Sequence, residues 1–227
     1  MISHKHKFIY SHIPKCAGTS IESALANFSS KPKYGTQEGK KKKWLRNKLL
    51  FEKYNKYPTY FKFSFCRNPW DRAVSCFHFF QQFPNEFIRI PEEETFENFI
   101  LNAKYFLLQQ SKPQEFFKRV PKNFVVQKKK TKTTFAYNQL ISYHLLPQSY
   151  FISKKFDFIG RFESLNKDFE RVLKYLDLPP IKLHKESKSN HKPYQEYYNK
   201  NLIEIVKKIY QEDINRFNYS FESNEKT

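Results

Sequence analysis

The feature that most constrains the fold is a repeated local pattern: an apolar run that reads as a strand, a tight polar turn, then a helix-like stretch. The clearest strand is Thr59 to Cys66, "TYFKFSFC", in which Phe61, Phe63 and Phe65 alternate with Lys62 and Ser64. Period-two alternation puts the three rings on one face of a sheet. In the following "RNPWDRAVSCFHFF", Asn68 is an N-cap residue type, Pro69 suits the first helical position and Asp71 falls in the positive first turn, so a helix is expected from near Pro69. An earlier strand, Lys7 to Ile13, leads through "HIPKCAGTS" (His12 to Ser20) into a short helix over Ile21 to Phe28.

The rest of the chain continues the alternation. Phe96 to Gln110 reads as a helix, Ser149 to Ile152 and Phe156 to Ile159 as short strands, and Gly160 as the break of the second. Leu165, Phe169, Val172, Leu173 and Leu176 share one face of a helix ended by Pro179-Pro180. Leu202, Ile205, Val206, Ile209 and Ile214 share one face of a last helix. Strands alternating with helices predict an α/β three-layer sandwich around a central, mainly parallel sheet. A length of 227 residues fits a single domain, 1–227, with less regular insertions near 31–57 and 84–132. The 25 Phe and 15 Tyr predict an aromatic-rich core, in which Trp70 is expected to take part.

The charge narrows the partners without choosing one. With 41 Lys and Arg against 22 Asp and Glu, the formal charge is +19, which draws anions: nucleic acid, an acidic membrane face, a polyphosphorylated nucleotide or an acidic polysaccharide. The basic runs Lys40–Lys43 and Lys128–Lys132 suit an acceptor that is already anionic, and Lys128 to Thr134 reads as an exposed loop. Cys16, Cys66 and Cys76 form neither an even-numbered framework nor a Cys-x-x-Cys pair, so no disulfide scaffold or zinc site is indicated. No apolar run near the N-terminus reaches signal-peptide or membrane-spanning length, so a cytoplasmic protein is expected, with peripheral membrane contact as an option.

The chemistry concentrates in "HIPKCAGTS". A turn from a strand into a helix leaves backbone N–H groups at the positive helix end; Lys15 adds a charge, Gly18 permits close approach, and Thr19 and Ser20 offer hydroxyls. This is the chemistry of a phosphate cradle, although the pattern G-x-x-x-x-G-K-[ST] occurs nowhere.

"PKCAGTS" behind one strand, followed by "RNPWDRAVS" behind a later one, resembles the sulfotransferases that use 3'-phosphoadenosine 5'-phosphosulfate (PAPS), specifically those acting on carbohydrates. "FDFIGRFESLNKDFERV" and "NHKPYQEYY" extend the resemblance over most of the chain. It implies a sulfotransferase fold related to the P-loop NTPases and a loop, Pro14, Lys15, Cys16, Ala17, Gly18, Thr19 and Ser20, that binds the 5'-phosphosulfate. It also implies a 3'-phosphate grip by Arg67 and Ser75, and nucleotide contacts from His191 and Lys192 before an aromatic loop. Lys15 is then the catalytic cation, adenosine 3',5'-bisphosphate the product, a carbohydrate hydroxyl the acceptor, and no metal is expected.

Relatives often carry a histidine in the region corresponding to Tyr34 to Tyr57; this chain has none there. His144 is therefore the first choice of catalytic base, followed by His12, Glu22 and His78. The competing readings are a basic nucleic-acid binder, a kinase-like phosphotransferase and a donor-binding relative without catalysis. No recognition helix or basic–aromatic face supports the first, and the missing Walker lysine opposes the second.

Overall fold

A computed structural model describes residues 1–30, 55–84, 89–108, 139–153, 155–184 and 191–222. The lysine runs at 40–43 and 128–132 lie outside the described residues. The chain divides into two compact units: Met1–Arg67 with Phe151–Lys188 and Ser223–Thr227, and Asn68–Tyr150 with Ser189–Glu222.

The first unit holds one sheet of four strands in the order β1 (Ile2–Ser3), β2 (Phe8–Ser11), β3 (Phe61–Cys66) and β4 (Phe158–Arg161). β1 runs antiparallel to β2, and β2, β3 and β4 are mutually parallel, which makes the sheet mainly parallel, as expected for an α/β fold. Helices α1 (Gly18–Ala24) and α5 (Leu165–Tyr175) belong to this unit. The alternating face of β3 does what its pattern predicts. Phe61, Phe63 and Phe65 pack with Phe8 and Tyr10 of β2, Ile21 and Leu25 at α1, and Phe169, Val172 and Leu173 of α5. On the other face Ser64 Oγ donates to the Ser11 carbonyl at 2.7 Å and Ser11 Oγ to the Phe151 carbonyl at 2.7 Å, so these buried hydroxyls are satisfied.

Two local expectations give way here. Gly160 lies inside β4, paired with Phe65, instead of ending the strand. A Cβ there would come well within 3.0 Å of Cε1 and Cδ1 of Phe65, so glycine makes room for that ring. Gln148–Phe151 forms a 3-10 turn, not a strand, because Asp213 Oδ2 and Oδ1 accept the backbone N–H groups of Gln148 and Ser149 at 2.6 and 2.8 Å. An acid capping two successive N–H groups favours a turn over a ladder.

The second unit is helical. It contains α2 (Pro69–Gln81), α3 (Phe96–Leu108), α4 (Gln139–Leu145), α6 (Lys200–Ile209) and α7 (Gln211–Phe217). As predicted, α2 starts at Pro69, with the Asn68 side chain accepting from Trp70 N at 3.0 Å. Trp70 is 2% exposed and belongs to the core with Phe77, Phe80, Phe99, Leu202 and Val206. The single helix expected from Leu202 to Ile214 is two, α6 and α7, meeting at Tyr210. Tyr210 donates its hydroxyl to the Leu145 carbonyl at 2.8 Å, and Arg72 Nη2 donates to the His144 and Leu146 carbonyls at 2.7 and 2.8 Å. Burial pushes the Tyr210 phenol well up and also raises the Asp213 carboxyl. No described helix is long and apolar enough to cross a membrane.

Asp168 of α5 closes the turn that follows β4. Its Oδ2 accepts from Arg161 N at 2.9 Å and Ser164 Oγ at 2.7 Å, and its Oδ1 from Arg171 Nη1 at 3.0 Å. Asp168→Ala leaves the partly buried Arg161 N–H without its acceptor and is expected to lower stability by roughly 1–3 kcal/mol in urea unfolding, with an unchanged m-value.

Candidate functional site

β2 ends at Ser11, and the loop begins at His12. Pro14 and Cys16 are buried, Lys15, Ala17 and Thr19 are partly exposed, and Gly18 and Ser20 are buried in the first turn of α1. Lys15 (φ 67°) and Ala17 (φ 58°) both adopt the left-handed backbone region. Non-glycine residues there cost of order 1–3 kcal/mol each and persist only where surrounding contacts impose them. The imposing contacts are visible. Cys16 N donates to the Ile13 carbonyl at 3.4 Å, Cys16 Sγ lies 3.7 Å from the Pro14 carbonyl, and Arg67 Nη1 donates to the Lys15 carbonyl at 3.1 Å.

Parallel pairing brings Arg67 to this loop. Ser11 is level with Ser64, so the residue just past β3 emerges at the edge where the loop after β2 begins. Arg67 is 7% exposed, and its guanidinium lies 4.0 Å from the centroid of the Phe162 ring. A planar guanidinium held on an aromatic face keeps its donors aimed in one plane. The structure therefore brings together Lys15, Arg67 and the small residues of the loop. Phe162, the ring that seats Arg67, was not expected from sequence; its position two residues after Gly160 in "IGRF" gave no signal of that contact.

Gly18 answers to a side chain. A Cβ on it would come within 3.0 Å of Cδ2, Nε2 and Cε1 of His12 at nearly equal distances, which sets the imidazole face flat over the glycine. His12 Nδ1 lies 3.0 Å from Glu22 Oε2 of α1, and the two side chains are 13% and 5% exposed.

The remaining expected residues lie in the second unit. Ser75 is on α2, 3% exposed and one turn before His78. His144, on α4, packs its ring against Phe79 (centroids 5.6 Å, stacked) and edge-on to Phe80 (5.1 Å). His191 stacks on His78 at 5.3 Å, its Nδ1 2.8 Å from the Lys192 carbonyl oxygen. Lys192 is exposed and pairs with Glu196 at 3.6 Å. His78 Nε2 lies 2.9 Å from the Tyr197 hydroxyl, and burial, with the nearby His191 second, holds its pKa below the usual histidine value.

A model of the sulfotransferase family matches residues 1–220 of the chain. Comparison with curated proteins and with solved structures returned no match.

The depressed His78 value carries a sign. A histidine whose folded pKa lies below its unfolded value of about 6.5 contributes stability that is present above that value and is lost as pH falls through the folded pKa. The thermal midpoint is expected to fall between pH 7.5 and 5, and less so in His78→Gln, which keeps an amide oxygen for the Tyr197 hydroxyl.

Proposed function

Since the chain belongs to the sulfotransferase family, we propose that it transfers a sulfuryl group from PAPS to a hydroxyl of a carbohydrate acceptor. The observation that carries the donor assignment is the loop of Pro14 to Ser20. It presents a lysine and two hydroxyl side chains on a backbone forced into the left-handed region at two non-glycine positions, with its central carbonyl pinned by Arg67. The residues fit an anionic group of phosphate size: one flexible cation, one planar cation, and hydroxyl and N–H donors.

The donor, when bound, supplies an activated sulfuryl group whose departure leaves negative charge on the nucleotide. Lys15 would balance that charge, Thr19 and Ser20 would orient the anionic end, and Arg67 both holds the Lys15 carbonyl and adds positive potential. Arg67 with Ser75 as the 3'-phosphate grip, and His191 and Lys192 as further nucleotide contacts, are proposed on the family resemblance. The formal charge of +19 supports an anionic glycan as acceptor.

For the proton of the acceptor hydroxyl we retain His144 and set His78 beside it. Burial and His191 keep His78 in the neutral form that a base requires. His144 is packed between two phenylalanine rings. Replacing each by Gln separates them: the base loses 10²–10⁴ in rate with nucleotide affinity kept, whereas a packing histidine lowers the melting temperature.

The site is tested by titrating adenosine 3',5'-bisphosphate into wild-type protein and into Lys15→Ala and Lys15→Ala/Arg67→Ala. Wild type is expected to bind, the double variant not to, and Lys15→Ala to lose about 10²–10³ in transfer rate. Equal binding by the double variant overturns the site. Transfer of labelled sulfate from PAPS to a panel of desulfated glycosaminoglycans and neutral oligosaccharides tests the acceptor class, and transfer to none of them leaves donor binding without the proposed reaction.

A further inference from the structure

The loop of Pro14 to Ser20 lies where β2 and β3 finish; the opposite end of the same sheet carries a pocket that the assignment above leaves without a task. Its volume is about 610 Å³, inside the range of roughly 300–1,000 Å³ in which small organic ligands bind. Asn55, Pro58, Lys62, Lys155, Phe156 and Asp157 line it, and all six belong to the first unit. Lys62 is the second residue of β3, and Asp157 directly precedes β4. Five residues of nearly continuous strand separate Lys62 from Arg67, which at about 3.3 Å each amounts to about 17 Å. The pocket is therefore a different place from the loop.

The pocket has a charged wall. Lys62 is 4% exposed although it carries an ammonium group. Its Nζ donates to the Pro58 carbonyl at 2.9 Å and to the Tyr60 carbonyl at 2.8 Å. Lys62 and Pro58 both line the pocket, which sets the ammonium at its wall. An ammonium has three N–H donors, and among the described residues no further acceptor and no carboxylate takes the third. Asp157 is tied by one oxygen: Oδ2 accepts from Lys62 N at 2.7 Å, and among the described residues nothing bonds to Oδ1. Lys155 and Asn55 are exposed. A buried cation held by neutral carbonyls favours an anion as its next partner.

We propose that this pocket binds an acidic sugar unit of a polyanionic glycan, at a distance from the donor loop. Lys62 and Lys155 take the anionic group. Two cations against one carboxylate leave the lining net positive, so an anion is preferred over an uncharged or zwitterionic ligand. Asp157 restricts which anion enters. A bare sulfate brings no donor and is repelled by the carboxylate, whereas a sugar offers hydroxyl protons to Oδ1 and to the Asn55 amide oxygen. The rings of Phe156 and Pro58 give the C–H face of a sugar an apolar surface, and Phe156, like Tyr57 and Tyr60, is held by packing on Ile2 and Ile9. One anionic group, ring hydroxyls and a C–H face are the chemistry of a uronate or of a sugar sulfate ester. The site extends the carbohydrate reading, but its ligand is read from these residues alone and not from the donor loop.

The test is isothermal titration calorimetry with three tetrasaccharides: one containing glucuronate, its carboxyl-reduced neutral form, and that neutral form bearing sulfate esters. Wild type is expected to bind at least one acidic form, and the neutral form about tenfold more weakly or worse. The acidic form that binds tells carboxylate from sulfate. Asn55→Ala/Lys155→Ala alters two exposed side chains, so folding is not at issue, and it is expected to lose about tenfold in affinity. Lys62→Met, with thermal unfolding as the check on folding, is expected to lose at least about tenfold. A folded Lys15→Ala/Arg67→Ala is expected to keep the wild-type glycan affinity within about twofold, because distant sites act independently. Three results overturn the site: no binding of either acidic form, equal binding of the neutral form, or unchanged affinity in Asn55→Ala/Lys155→Ala. Loss of affinity in Lys15→Ala/Arg67→Ala also overturns it, because the glycan then sits on the loop. Inorganic sulfate or glycine binding as tightly as the tetrasaccharide overturns the sugar as ligand. Failure of adenosine 3',5'-bisphosphate to bind sinks the donor site and leaves this pocket standing, so the two failures are told apart.

Discussion

The parallel pairing of β2 with β3 is the constraint on which the candidate site depends. With Ser11 level with Ser64, the chain leaving β2 and the chain leaving β3 emerge at one edge of the sheet. That is the general logic of open α/β sheets, whose strand ends place loops from distant parts of the sequence side by side. Here the consequence is a hydrogen bond across 52 residues of sequence, from Arg67 Nη1 to the Lys15 carbonyl. Buried hydroxyls of Ser11 and Ser64 secure the strand ends from within, so the loop departs from a fixed platform.

Both units handle buried charge in the same way, by giving these charged groups several polar partners, at least one of them backbone. Asp213 takes two N–H groups, Asp168 takes one together with a hydroxyl and a guanidinium, and Arg72 donates to two carbonyls. Each tie joins segments far apart in sequence or closes a turn that backbone pairing leaves open. Breaking one partner of such a set costs more than the set adds, because the group left behind is buried.

Much of this was legible from residues alone where periodicity or capping chemistry was local. The alternation in "FKFSF" named the core face of β3, and Asn68-Pro69 named the start of α2. The grouping of Lys15 with Arg67 came from the resemblance to the sulfotransferases that two turn motifs in order, each behind a strand, carry. What was not legible was any contact made by a side chain with no sequence period. The 3-10 turn at Gln148 exists because Asp213 caps it, and the helix from Leu202 breaks at Tyr210, where the apolar pattern continues into α7. Gly18 was read as room for an anion, yet the imidazole of His12 occupies the place of its missing Cβ. His12 and Glu22 were each visible as ionisable residues, but ten positions of separation across a turn hid that they form a pair.

The contact between Phe65 and Gly160 has a consequence beyond packing. These residues face each other across β3 and β4, and the ring covers the bare Cα of the glycine. Shifting β4 by one position would set Ile159 or Arg161 under the ring and turn every side chain of the strand to the opposite face. Only one alignment of the two strands accepts the ring, so the glycine works as a notch that indexes the sheet. A chain with only four glycines in its whole length has placed one of them where it decides which pairing of its parallel strands can close.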